Sequence, residues 1–213
     1  MCYLAIINVV LIRANARNKT KGCLNMPGTM IHLFVAKKTR PQGNILFFLG
    51  NIAPDAVDGR HNKEITHFRN MKNRQPALIA LAKNSTDDFS EGVLLHLFVD
   101  WKWETGIMKK YDGNMSTHEG FIAYRDEMSL VSSYAFHNTH WAKQLWADMD
   151  SFDVDSYGNT PGVSVSDVKK YLADRYKWHN ENITEPSKVF SPNLIEEFVS
   201  ACAEQYSKWR ISF

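Results

Sequence analysis

Five ionisable side chains interrupt apolar runs in the first half of the chain. His32 lies between Met30-Ile31 and Leu33-Phe34-Val35, Asp55 closes the segment NIAPD, and His67 sits in EITHF. His96 and Asp100 share the stretch LLHLFVDWKW, Leu94 to Trp103, in which seven of ten residues are large and apolar or aromatic. On a helix, residues four apart stand one above the other on a single stripe. Burying such groups without partners costs several kcal/mol, so the pair needs company. A metal ion supplies it: zinc takes neutral imidazole nitrogen and carboxylate oxygen, and a His-x-x-x-Asp pair aims two ligands at one point. Histidine and carboxylate donors without cysteine suit hydrolytic metal sites better than closed structural ones. A carboxylate can also bridge two ions about 3.5–4 Å apart, an arrangement that phosphoryl-transfer sites exploit.

Each residue has a plainer reading beside this one. A lone histidine on an apolar face is most often a core residue with satisfied nitrogens, Asp55 after proline is a turn former, and His67 can start a helix. His96 and Asp100 can simply hydrogen-bond along their helix, and His-x-x-x-Asp spacing is common. Five such intrusions in one modest chain favour metal as a set. Phe68, Phe98, Trp101 and Trp103 read as core rather than pocket wall. No GxxxxGK[ST] cradle, GxSxG elbow or Cys/His nucleophile pairing occurs, which argues against nucleoside-triphosphate, serine and cysteine chemistries.

The elements that must position these residues read as helices. Met30 to Lys38 and Asn44 to Leu49 are short apolar segments, ended by RPQGN and by Gly50 with the NIAPD loop; Thr29 can cap the first. Pro76 fits the first turn of a helix through Lys83, and Phe89 to Lys109 carries the His96/Asp100 pair. Glu119 to Asp150 holds one or two long patterns with breaks near Ser132 and Asn138. Ser164 or Ser166 caps a helix to about Trp178, and Ser191-Pro192 opens a last one along Leu194, Ile195, Phe198, Val199, Cys202 and Tyr206. Strand alternation is almost absent, so the expected fold class is all-α, a compact multi-helix bundle with the metal site between helices. GNTPG, 158–162, marks a loop.

With 213 residues and 44% hydrophobic content, one sizeable core is expected. Residues 26–213 read as a single helical domain. Residues 1–25 read as an extension, whether an appended arm, an extra strand or an upstream mis-start. CYLAIINVVLI is too short to span a bilayer and has the flanks of neither a signal peptide nor an anchor, so the expectation is a cytoplasmic protein without a transmembrane segment. A formal net charge of +2 and the lack of a basic tract give no reason to expect a stable nucleic-acid partner. Three scattered cysteines exclude a CxxC zinc site and fit a reducing compartment.

The ordered segments MPGTMIHLFVAKK, FFLGNIAPDAV, KEITHF and LLHLFVD resemble the zinc-dependent phospholipase C family, particularly its small bacterial members, over roughly Met26 to Glu104. The resemblance implies an all-α fold, also used by single-strand-specific zinc nucleases, and hydrolysis of phospholipid phosphodiesters by metal-activated water. It implies that Asp55, His67, His96 and Asp100 hold one zinc, that Asp100 bridges to a second held by His32, and that Asp55 orients or deprotonates the water. The family's third zinc uses a His-x-x-x-Glu pair. Here Trp141 stands four after His137 and Gln144 four after His140, so two ions are expected rather than three, with His118, His137 and His140 as substitute ligands. The expected activity is therefore that of a zinc-dependent phosphoric ester hydrolase with a phosphoester or phospholipid substrate. The alternatives are a single-strand nuclease-like hydrolase and a non-catalytic helical module with a structural zinc.

Overall fold

The computed structural model describes residues 26–57, 60–69, 73–111, 113, 115, 117–153 and 163–213, so the 1–25 extension and the 158–162 loop lie outside the described residues. Every regular element among the described residues is helical. In chain order they are α1 (Thr29–Thr39), α2 (Ile45–Ile52), a 3-10 turn (Ala53–Ala56), α3 (Arg60–Thr66) and α4 (Gln75–Asn84). There follow α5 (Asp88–Thr105), α6 (Ile107–Lys110), α7 (His118–Asn138), α8 (Ala142–Ser151), α9 (Val165–Glu181) and α10 (Pro192–Arg210). No described helix is long and apolar enough to cross a membrane.

Local chemistry sets most of the boundaries. Asn44 caps α2 through its side chain, Asp87 and Ser90 form a reciprocal capping box on α5, and Ser164 does the same with Asp167 on α9. Ser191 caps α10 ahead of Pro192, whose missing N–H is harmless there. Three boundaries differ from the sequence expectation. Thr29 does not cap α1; its hydroxyl lies 2.7 Å from the Tyr171 hydroxyl instead. The long Phe89–Lys109 pattern breaks at Gly106, leaving α6 as a separate turn. α7 runs unbroken through Ser132, because Ser132 and Ser133 are buried against neighbouring segments, Ser133 donating to the Asn182 carbonyl at 2.5 Å.

α2 does not stop at Gly50 but continues through Ile52. Gly50 is inside the helix for a packing reason: a Cβ there would stand 2.0 Å from the Phe89 carbonyl oxygen, and one on Gly92 would stand 2.1 Å from that of Phe47. Two glycines facing in this way let α2 and α5 touch backbone to backbone, and among the described residues no other pair of helices is packed so extensively. α5 is apolar almost all round because it is central, with Leu94, Leu95, Val99 and Trp103 fully buried. α1 lies against α2 and α10, and α8 against α9. The C-terminal end is tied to α5 by Glu91, which accepts from Tyr206 Oη at 2.5 Å and from Arg210 Nε at 3.0 Å. Phe98 and Trp103 are core residues, with Trp101 and Phe68 packed on the core edge.

Candidate metal centre

α1, the 3-10 turn, the end of α3 and α5 converge on the five residues singled out from the sequence. His32 Nε2 lies 3.5 Å from Asp100 Oδ1, and His67 Nε2 lies 3.5 Å from Asp55 Oδ1 and 3.6 Å from Asp100 Oδ2. His96 Nε2 is 3.2 Å from His67 Nε2 and 4.0 Å from Asp100 Oδ2. The His32 and His96 rings stack with centroids 3.9 Å apart and planes 5° from parallel. His32, His67, His96 and Asp100 are fully buried, and Asp55 is 7% exposed.

The surrounding backbone decides which nitrogens are available. His96 Nδ1 sits 2.8 Å from the Asn51 carbonyl, and a carbonyl can only accept, so Nδ1 carries the proton and the neutral ring's lone pair is on Nε2. His67 Nδ1 faces the Lys63 carbonyl at 2.9 Å and the Thr66 hydroxyl at 2.8 Å. That hydroxyl donates to the Pro54 carbonyl at 3.0 Å, so His67 Nδ1 is again the donor and Nε2 the lone pair. His67 is set by the turn that ends α3. The residue after it, Phe68, adopts a φ of 54, a left-handed conformation that costs a non-glycine residue roughly 1–2 kcal/mol. Holding one ring nitrogen by a carbonyl so that the other points at a shared space is how proteins orient histidine ligands.

The charges reinforce this picture. Burial pushes His96 down to about 3 and also lowers His32, so both rings are neutral at pH 7. Burial alone would raise the Asp55 carboxyl, but Lys63, 3.5 Å away, and His67 hold it well below the usual range. The Asp100 carboxyl is likewise held below its usual range against its burial; with His32 and His96 neutral, the full charge beside it is that of Arg69, 4.0 Å away, which also pairs with Glu104 at 3.2 Å. Both Asp100 oxygens and both His32 nitrogens are buried with no hydrogen-bond partner, the nearest cation being Arg69 at 4.0 Å from Asp100 Oδ2. Buried polar atoms left this way call for a ligand group or an ordered water, and a cation fits here because two sets, His32–Asp55–His96 and His67–His96–Asp100, have ligand atoms within 4.8 Å of one another. The buried His/Asp groups could hold a metal ion.

The other candidate histidines are not brought to this cluster. His118 is exposed at the start of α7, His140 is exposed between α7 and α8, and His137 Nε2 donates to the carbonyls of His179 and Asn182 at 2.8 and 3.1 Å. His61 is exposed on α3.

A cleft of about 410 Å³ opens beside the cluster, and Asp55 is the cluster member that lines it. Lys63, Arg125, Tyr171, Arg175 and His179 line it too, from α3, α7 and α9. None of these was singled out from the sequence, because each falls on the polar side of an amphipathic or charged segment where solvent exposure is the ordinary reading. Only for His179 was there a signal, its four-residue spacing from Arg175 towards the end of α9. Comparison with family models, curated proteins and solved structures returns no match for this chain.

Proposed function

We propose that this protein is a zinc-dependent hydrolase of phosphate esters, a phospholipase C-like phosphodiesterase. The observation that carries the reading is the convergence of two oriented imidazole lone pairs with two buried carboxylates, one of them, Asp100, without a hydrogen-bond partner, beside a cation-lined cleft. His32, His67, His96, Asp55 and Asp100 would hold the metal, with Asp100 presenting its two oxygens to different histidines. When bound, such ions supply Lewis acidity at a phosphoryl oxygen and make a water more acidic. In this reading Asp55, at the boundary between cluster and cleft, orients the attacking water and takes its proton, while Lys63 steadies that carboxylate. The α2–α5 core behind the site excludes bulk water, so charges in the cluster act at low dielectric.

The near-complete burial of His32, His67, His96 and Asp100 favours one other reading, a metal that only fastens the helices together. Elemental analysis combined with turnover of bis(p-nitrophenyl) phosphate separates the two. The hydrolase reading expects two zinc ions per chain and metal-dependent turnover that falls by a factor of about 100 or more in Asp55→Asn with helicity unchanged, as for loss of a general base. One ion and no turnover would leave the structural reading standing. Single-stranded DNA and phosphatidylcholine, incubated side by side, distinguish nuclease-like from lipase-like hydrolysis.

A further inference from the structure

The arginines whose side chains are described divide into two groups. Arg40 pairs with Asp88, Arg69 and Arg74 with Glu104, and Arg210 with Glu91. Arg125 and Arg175 have no carboxylate partner among the described residues, and both line the cleft beside Asp55. Arg175 lies over the Tyr171 ring, 5.4 Å from its centroid, which steadies its plane. A third cation, Lys63, also lines the cleft; the opposing charges there are Asp55, to which Lys63 is already directed, and Asp126.

A second observation is independent of charge. His179 is 1% exposed, lines the cleft, and its Nδ1 is buried with no hydrogen-bond partner. A buried polar atom left this way calls for a ligand group or an ordered water. The start of α1, Pro27 to Thr29, also borders the cleft, and no side chain caps its first amides. Guanidinium is the side chain that reads a planar or tetrahedral oxyanion with paired N–H groups. At about 410 Å³ the cleft matches a small organic phosphate and not a pair of acyl chains.

Resting on the hydrolase reading above, we infer that the cleft formed by Arg125, Arg175 and His179 holds an anionic group of the substrate, so that the preferred phosphoester is one without a compensating cation rather than a choline-type zwitterion. Arg125 and Arg175 contact the oxyanion, and His179 Nδ1 faces a polar group beside it. The chemistry is shared by a free organic phosphate and by the headgroup of an anionic lipid.

The test uses full-length, metal-loaded protein and titrates glycerol phosphate and phosphocholine by calorimetry, against wild type, Arg125→Gln, Arg175→Gln, the double variant, and Lys208→Gln as an exposed control. Thermal melts confirm folding. The expected result is glycerol phosphate bound at least tenfold more tightly than phosphocholine, a loss of about tenfold in each arginine variant as one charged hydrogen-bonding partner is removed, and no change in the control. Vesicles of phosphatidylglycerol provide the second arm: arginine-dependent binding to them assigns the lipid source, and binding of glycerol phosphate alone assigns the free one. Equal affinity for the two probes, or folded arginine variants that bind as wild type does, would overturn the inference. Arginine-dependent binding in a protein that turns over no phosphoester overturns the hydrolase reading and leaves the anion site; turnover without arginine-dependent binding does the reverse.

Discussion

Asp100 is where a single charge can be removed with least change of shape. Both of its oxygens face imidazole nitrogens and neither receives a hydrogen bond. Asp100→Asn should therefore lower metal affinity by more than the roughly 10–100-fold that loss of an outer-shell partner costs. Elemental analysis after dialysis reads this as fewer ions per chain, while the metal-free variant melts no lower than metal-free wild type, since a buried charge has gone. A helical His–Asp hydrogen bond without metal predicts the opposite, a lower melting temperature and no change in metal content. His179 gives a pH prediction. Burial pushes it down to about 3 from an ordinary 6.5, so the folded state holds a neutral ring and the unfolded chain takes up the proton first. Its contribution to stability is complete above pH 6.5 and is lost as pH falls from there towards 3. His179→Phe keeps the ring stacking on Phe136 and should flatten the acid-side fall of the melting temperature relative to wild type. Parallel curves for the two proteins would show that His179 takes no part in it. The five cluster residues were legible from sequence because each broke an apolar run. Lys63, Arg125 and Arg175 were not, since an exposed cation and one that lines a cleft look identical in one dimension.

At the scale of elements, caps and punctuation carried the reading: Ser164, Ser191-Pro192 and Pro76 sit at the helix starts their chemistry favours. Gly50 was misread as a stop because the usual reason for glycine near a helix end is a left-handed cap. Its actual reason, the Phe89 carbonyl across the α2–α5 contact, is tertiary and invisible to local rules. That contact also fixes the site. Asn51, one residue on from Gly50, supplies the carbonyl that sets the His96 tautomer, and its side-chain amide donates to the Gly92 carbonyl at 3.5 Å. Gly92→Ala should therefore act twice. Forcing a methyl group into the Phe47 carbonyl costs about 1–3 kcal/mol as overpacking, and the displaced α2 loosens the hold on His96. Denaturant unfolding measures the first effect and zinc affinity the second. A variant that loses stability and binds zinc unchanged would detach the glycine contact from the site.

For the molecule as a whole, the cluster joins segments distant in sequence: His32 on α1, Asp55 after α2, His67 after α3, and His96 with Asp100 on α5. A cation bound to all of them is bound only by the folded chain, so its binding free energy adds to folding stability. At a free metal concentration of 100 times Kd that contribution is about 2.7 kcal/mol per site. For a chain of this length each kcal/mol moves Tm by roughly 2–4 °C, so filling one site should raise it by about 5–11 °C. Chelation should lower Tm by the same amount, and added zinc should restore it. Stability and function then separate at Asp55, the 7% exposed member, which faces the cleft as well as the cluster. In Asp55→Asn the four buried ligands remain, so most of the metal-dependent rise in Tm should survive while turnover is lost. If the rise in Tm disappears with the turnover, Asp55 is chiefly a ligand; if neither changes, the site lies elsewhere. Calorimetric melts of wild type and variant, with and without chelator, read all three outcomes from one set of samples.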